Sequence, residues 1–144
     1  MQAVRRALFI AFGWRIHRAI FRATRGRVGA RLGALPILML TTRGRRSGKT
    51  RDVALSYLRD DDCFVVVASF AGLARDPAWW RNLKAHPEAE VLVDGQRVRV
   101  RAREAEGARC ELLWARFARA DRSFADYQRR TTRRIPIVLL ETIS

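Results

Sequence analysis

Along the middle of the chain Val53, Leu55 and Tyr57 alternate with Ala54, Ser56 and Leu58. Further on, Val98, Val100 and Ala102 alternate with Arg97, Arg99, Arg101 and Arg103. A repeat of two sends one set toward a core and the other toward water, so both stretches predict β-strands. Ile37 to Thr42 is a short apolar run, and Cys63 to Ser69 is a β-branched run that reads as a buried strand. Asp60, Asp61 and Asp62 form a turn signal that predicts a hairpin between the strand through Val53 and the strand from Cys63. Asp94-Gly95 predicts a second hairpin, joining Ala89 to Val93 with Gln96 to Arg103, and Pro136 to Glu141 supplies a last strand.

The helical period appears in three places. Between residues 4 and 25, Leu8, Phe9, Phe12, Ile16, Ala19, Ile20 and Ala23 fall on one arc, with Arg15, Arg18, Arg22 and Arg25 opposite. This is a basic amphipathic helix, suited either to docking on its own domain or to lying on an anionic membrane surface. Pro77 to His86 carries helix start and stop signals, with Asp76 as N-cap and Pro87 as terminator. Residues 107–120 place Leu112, Leu113, Trp114 and Phe117 at helical spacing.

Strands that follow one another in hairpins, about six of them, predict an α+β fold: a mainly antiparallel barrel with helices packed outside, not a doubly wound parallel sheet. Residues 1–33 read as an N-terminal basic helix with a Gly-rich lead, and residues 34–144 as the barrel domain. Apolar residues make up 49% of the chain and no internal repeat is present, so a real core is expected. Cys63 and Cys110 sit in apolar segments without ligand spacing, which predicts reduced buried thiols in a cytoplasmic protein and no metal site. The longest uncharged stretch near the N-terminus, Ala7 to Trp14, is far short of the roughly 20 residues that span a bilayer. It is followed by Arg15, His17 and Arg18, not by small residues, and is expected to remain unprocessed.

Charge sharpens this picture. Of 29 basic residues, 13 precede Asp52, the first acidic residue, while the remaining 16 are nearly offset by 14 acidic ones. Five of those 13 crowd into Arg43, Arg45, Arg46, Lys49 and Arg51. The stretch Gly44-Arg45-Arg46-Ser47-Gly48-Lys49-Thr50 is not a Walker loop, because three residues separate its glycines and a strand, not a helix, follows. Its side chains still suit an elongated polyanion. Guanidinium forks bind phosphate or carboxylate bidentately, Ser47 adds a donor, and glycines allow close backbone approach. Downstream, Trp79 and Trp80 point about 100° apart on a helix, so that one can join the core while the other walls a pocket for a flat ring. Exposed aromatics interleaved with the basic loop are missing, which counts against a nucleic-acid module.

Taken in order, Leu40-Thr41-Thr42, Gly44-Arg45-Arg46-Ser47-Gly48, Arg51, Ala68-Ser69, Pro77, Trp79, Asn82-Leu83, His86-Pro87, Asp126-Tyr127-Gln128 and Ile135-Pro136 resemble the deazaflavin-dependent nitroreductase family. The resemblance covers residues 17–141. It implies a split β-barrel of the FMN-binding-like kind and coenzyme F420 as cofactor. It further implies that Arg45, Arg46 and Ser47 hold the phosphate and oligoglutamate tail, with Arg51 completing the anion site. Asp52, Val53, Ala54, Leu55 and Ser56, then Val67, Ala68, Ser69 and Phe70, and the helix start Ala78, Trp79, Trp80, Arg81 and Asn82 are similar to segments that line the deazaflavin and its ribityl chain. Asp121, Phe124 and Tyr127 match positions that approach the substrate. Phe70 replaces a common Lys and Trp80 a frequent Tyr, which leaves the anion site intact and makes the substrate pocket more apolar.

The activity implied is hydride transfer from the reduced deazaflavin to an electron-poor, lipophilic small-molecule acceptor such as a quinone, enone or nitro compound. Tyr127 or Ser56 is expected to hydrogen-bond the acceptor oxygen or to order a protonating water. The chain is expected in the cytoplasm, at the inner face of the plasma membrane if the N-terminal helix binds lipid, and pairing into a homodimer is an option. An FMN enzyme on a similar barrel and a lipid- or tetrapyrrole-binding barrel are the alternative readings.

Overall fold

Runs of β-branched and leucine side chains fold here as an antiparallel sheet, in a computed structural model that describes residues 31–32, 35–69, 75–129 and 134–143. The strands are β1 (Arg31–Leu32), β2 (Leu35–Arg43), β3 (Thr50–Ser56), β4 (Leu58–Asp60), β5 (Cys63–Val67), β6 (Glu88–Val93), β7 (Gln96–Glu104) and β8 (Ile137–Thr142). The helices are α1 (Ala78–Ala85), α2 (Gly107–Ala120) and α3 (Arg122–Arg129). Seven strands pair in the order β3-β2-β6-β7-β8-β5-β4, every pair antiparallel, and the two residues of β1 pair with the start of β2. The sheet curls into a half-barrel whose two edges, β3 and β4, are consecutive in the chain. The predicted N-terminal helix and Phe70 lie outside the described residues.

Alternation divides the core by face. The inner cluster joins Leu38, Leu40, Phe64, Val66, Val91, Val100, Val138 and Leu140 to Trp79, Trp80 and Leu83 of α1. The outer cluster joins Val65, Val67, Ile137 and Leu139 to Cys110, Leu113 and Phe117 of α2 and to Phe124 of α3. Thus α2 and α3 pack outside the barrel as expected, whereas α1 plugs its interior. In β7 the inward row of Val98, Val100 and Ala102 and the exposed arginine row are as the period predicts. Asp94 and Gly95 both take positive φ, 50° and 78°, the geometry of a tight two-residue hairpin turn.

Three expectations need correction. The strand through Val53 does not run on to Leu58 and does not form a hairpin with β5 as a unit. It breaks at Tyr57, where the chain leaves β2 for β5: the Tyr57 amide donates to Pro36 at 3.0 Å and its ring stacks edge-on against Phe64. Only Leu58–Asp60 pairs with Cys63–Val65. This break, together with β1, makes eight strands among the described residues where about six were expected. Asp76 does not cap α1. Pro77 occupies the N-cap without a side-chain bond, and Asp76 instead accepts from Lys84 at 2.8 Å. Finally, α3 was missed, although Asp121 signals it. Its carboxylate accepts from the Ser123 amide at 2.9 Å and the Ser123 hydroxyl at 2.7 Å, closing α2 and opening the next helix.

Candidate functional site

The loop from Gly44 to Lys49 closes the β2–β3 hairpin. Its geometry is tight: the Gly44 amide donates to Lys49 O at 2.7 Å, the Gly48 amide to Gly44 O at 2.9 Å, and the Lys49 amide to Ser47 Oγ at 3.2 Å. A Cβ on Gly44 would stand 2.9 Å from Ser47 Oγ and 3.0 Å from Lys49 O, so no larger residue fits without moving the loop. Gly48 has φ +72°, where a side chain is strained. Arg46, Ser47 and Lys49 are exposed. Arg43 and Arg51 are exposed on the two strands that leave the loop.

Helix α1 holds this loop through two side chains. Thr42 and Asn82, 1% and 3% exposed, are the buried polar residues among the described ones, and they bond to each other. Asn82 Nδ2 donates to Thr42 Oγ1 at 3.1 Å, while Asn82 Oδ1 accepts from the Arg45 amide at 3.2 Å and from Arg45 Nη1 at 3.1 Å. Three guanidiniums meet beside this clamp. The Arg45 group is pushed below the ordinary arginine value by partial desolvation first, then by the charges of Arg81 and Arg46. An arginine side chain keeps its proton in proteins, so the repulsion persists. The Nε of Arg81 is buried with no hydrogen-bond partner. A crowded, under-satisfied cationic cluster of this kind is what a bound anion would relieve.

The pairing register sorts the predicted ring-lining residues onto two faces. Arg51 stands opposite Thr42 and Val53 opposite Leu40, so Arg51, Val53 and Leu55 share the face that meets α1. Val53 and Leu55 are half-buried against the inner cluster, beside which Ala68 lies fully buried. Asp52, Ala54 and Ser56 stand opposite Thr41, Met39 and Ile37 and face the other way. There Asp52 accepts from Thr41 Oγ1 at 2.7 Å, and Ala54 packs with Ile37 and Met39. On that face Met39, Thr41, Asp52 and Leu92 floor a groove of about 520 Å³ rimmed by Glu88, Glu90, Arg97 and Arg99. Trp79 and Trp80 are both buried in the inner cluster, with ring centroids 6.5 Å apart. The expectation that one of them walls an open pocket is therefore corrected: α1 enters the half-barrel, and both of its first-turn rings find apolar neighbours there. Ala78 is exposed and Ser69 half-buried.

Tyr127 and Phe124 sit elsewhere, on α3 in the outer cluster, with ring centroids 6.0 Å apart and planes at 88°. Val67 belongs to that same cluster. The structure thus gathers Arg45, Arg46, Arg51, Arg81, Asn82, Val53 and Leu55, and separates them by strand face from Ser56 and by cluster from Tyr127 and Phe124. One link ties the two regions. Gln128 Oε1 accepts from the Ile135 amide at 3.0 Å, and Pro136 O accepts from the Ala68 amide at 2.9 Å, next to Ser69. Thr42, which the sequence offers within a motif and not as a site residue, is the further member of the site; its signal was a hydroxyl ending the inward row of Leu38 and Leu40.

Comparison with known proteins identifies the family and the fold. The family model for F420H(2)-dependent quinone reductases matches residues 13–142. An F420H(2)-dependent quinone reductase of Mycobacterium tuberculosis is 40% identical over 131 residues, covering 88% of this chain and 87% of that protein. A solved F420-H2 dependent reductase superposes with a TM-score of 0.68 at 36% identity, over 74% of this chain and 94% of the other. A second structure, described as a domain-swapped dimer, gives a TM-score of 0.70 at 31% identity over 88% and 96% of the two chains. The chain belongs to the F420H(2)-dependent quinone reductase family, and its half-barrel is the split barrel of F420-dependent reductases.

Proposed function

We propose that this protein reduces quinones and related electron-poor, lipophilic acceptors with reduced coenzyme F420, and that the basic hairpin loop with α1 is where the cofactor's anionic end binds. The observation that carries the site is the buried, unpartnered Nε of Arg81 beside an Arg45 guanidinium destabilised by desolvation and then by like charge. These residues fit the cofactor: arginines for its phosphate and carboxylates at one end, and an apolar wall of Val53 and Leu55 for its ring. When bound, the reduced deazaflavin supplies the hydride. The chain's own work is to hold and orient. Arg45 and Arg81 take the inner anion, while Arg46, Ser47, Lys49 and Arg51, all exposed, hold the flexible tail in reach of water. Ala68, Ser69 and the start of α1 bound the ring edge. Tyr127 is proposed to contact the acceptor oxygen, since α3 is tied through Gln128, Ile135 and Pro136 to the strand end that carries Ser69. Ser56 shares a strand face with Asp52 and Ala54, and its hydroxyl is proposed to act on a ligand reached from that face.

A lipophilic acceptor and the basic arc of residues 4–25 together support work at an anionic membrane surface. Co-sedimentation with vesicles of anionic against zwitterionic lipid tests that. Buried free Cys63 and Cys110 fit a reducing compartment. The relative described as a domain-swapped dimer supports homodimer formation, which sedimentation equilibrium measures directly.

The deciding experiment is a fluorescence titration with reduced and oxidised coenzyme F420, followed by turnover with a quinone, an enone and a nitroaromatic. Saturable binding that is lost in Arg46→Ala/Arg51→Ala, with quinone turnover, supports the reading. Absence of binding by the folded wild type removes it.

A further inference from the structure

Asn82 occupies an unusual place for its chemistry. It lies in the middle of an eight-residue helix, where asparagine is a poor former, and its amide is buried at 3% exposure. Burial of an amide is costly unless its polar atoms are bonded. Here the carbonyl oxygen spends both lone pairs on Arg45, one on the backbone and one on the guanidinium, and the NH2 group donates to Thr42. That leaves the oxygen no capacity for a ligand. Its neighbour Arg81 projects from the same helix, so whatever fixes α1 against the loop also fixes the separation of Arg81 from Arg45.

We infer that Asn82 is a positioning residue for the anion site: it acts through Arg45, holding that guanidinium beside Arg81 against their mutual repulsion, and does not itself bind the cofactor. The inference rests on the anion-site reading above. Thr42 is the far end of the same device. The two N–H donors of Arg45 set the orientation of the Asn82 amide, and the Thr42 hydroxyl accepts from the NH2 group that this orientation turns toward β2, so the buried amide is bonded at both ends. Reversing the amide would aim an NH2 group at two N–H donors. The sequence contains the parts, Thr42 at the end of an inward row and Asn82 one turn into α1, but only the fold brings them within 3.1 Å.

A double-mutant cycle on the full chain tests this, with coenzyme F420 as ligand and Kd as readout. Arg45→Ala is expected to weaken binding at least tenfold, and Asn82→Ala by a similar factor. The double variant should be no weaker than Arg45→Ala within about twofold, because the two changes remove one interaction. The salt dependence of Kd should flatten equally in both single variants, which a loss of general stability would not produce. Multiplying effects, near a hundredfold in the double variant, would show that Asn82 meets the ligand independently and overturn the inference. If Arg45→Ala binds like the wild type, the anion-site reading falls and the inference with it. If Asn82→Ala melts below the assay temperature, Thr42→Val replaces it in the cycle. That nearly isosteric change should weaken binding severalfold only when Arg45 is present, with Thr42→Ser restoring it; weakening that persists in the Arg45→Ala background overturns the inference.

Discussion

Replacing Arg81 by methionine should make the free protein more stable and the cofactor complex less so. Methionine keeps most of the apolar stem that packs along α1, so the change removes chiefly the buried Nε and the positive charge. An unsatisfied buried donor costs about 1–3 kcal/mol, and relief of the charge that Arg81 exerts on Arg45 works in the same direction. Allowing for some loss of packing, a net gain of about 1–2 kcal/mol in the free state follows. For a chain of this size that raises Tm by roughly 3–7 °C. On the bound side, the variant forfeits a charge-assisted hydrogen bond worth about 1.5–3 kcal/mol. Kd should therefore rise roughly 10- to 100-fold. Differential scanning fluorimetry with and without coenzyme F420 reads both effects in one plate, and an intrinsic-fluorescence titration gives Kd independently. The two proteins should exchange rank: Arg81→Met melts higher alone and gains less from saturating cofactor. A free-state Tm at or below that of the wild type would refute the claim that Nε is an unmet donor. An unchanged Kd would refute its assignment to the anion.

Other expectations follow from the same geometry. Gly44→Ala should weaken cofactor binding severalfold with little change in Tm, because the added methyl displaces Ser47 Oγ and Lys49 O at the loop and nothing in the core; equal Kd values by titration would contradict this. Phe117→Ala, at a fully buried site 5.2 Å from the Phe124 ring, should cost about 3–5 kcal/mol in urea unfolding, enough to threaten folding, since it opens the outer cluster under α2 and α3. The Glu88 carboxyl is held below its ordinary value of 4.5, first by the hydrogen bond from Arg101 and then by that group's charge. A depressed carboxyl pKa contributes stability that is present above the unfolded value and disappears as pH falls through the folded one. Glu88→Gln should therefore be slightly less stable than the wild type at neutral pH, with the difference closing as pH falls below about 4.5, which flattens the acid limb of the stability profile. Tyr127→Phe should lower turnover with quinone while leaving the Kd for coenzyme F420 as in the wild type; an unchanged rate would remove Tyr127 from the acceptor side.

The sequence shows most of the strands and helices and the basic loop because each is written in neighbouring residues. The arginine row of β7 needs only its alternation with Val98, Val100 and Ala102, and the loop needs only its glycines and charges. What depends on pairing partners was not legible. Nothing local says that the chain changes partner at Tyr57, because a buried aromatic continues the period of two whether the strand bends or not. For the same reason a continuous stretch such as Asp52 to Ser56 could be read as one wall of a slot. Yet a strand cannot present consecutive side chains to one ligand. The register Thr42↔Arg51 and Leu40↔Val53 sends Arg51, Val53 and Leu55 to the α1 face, and Asp52, Ala54 and Ser56 to the opposite face, where Asp52 lines the groove. The two tryptophans illustrate the converse. Their angular separation on the helix was right, but α1 enters a concave surface, and a concave surface buries both sides of a helix that a flat one would bury on one side. The candidate site therefore follows curvature as much as composition. The curl that swallows Trp79 and Trp80 is also what carries Arg81 and Asn82 down onto the loop, turning a run of charges that would otherwise be a solvated turn into a site with a buried donor left to satisfy.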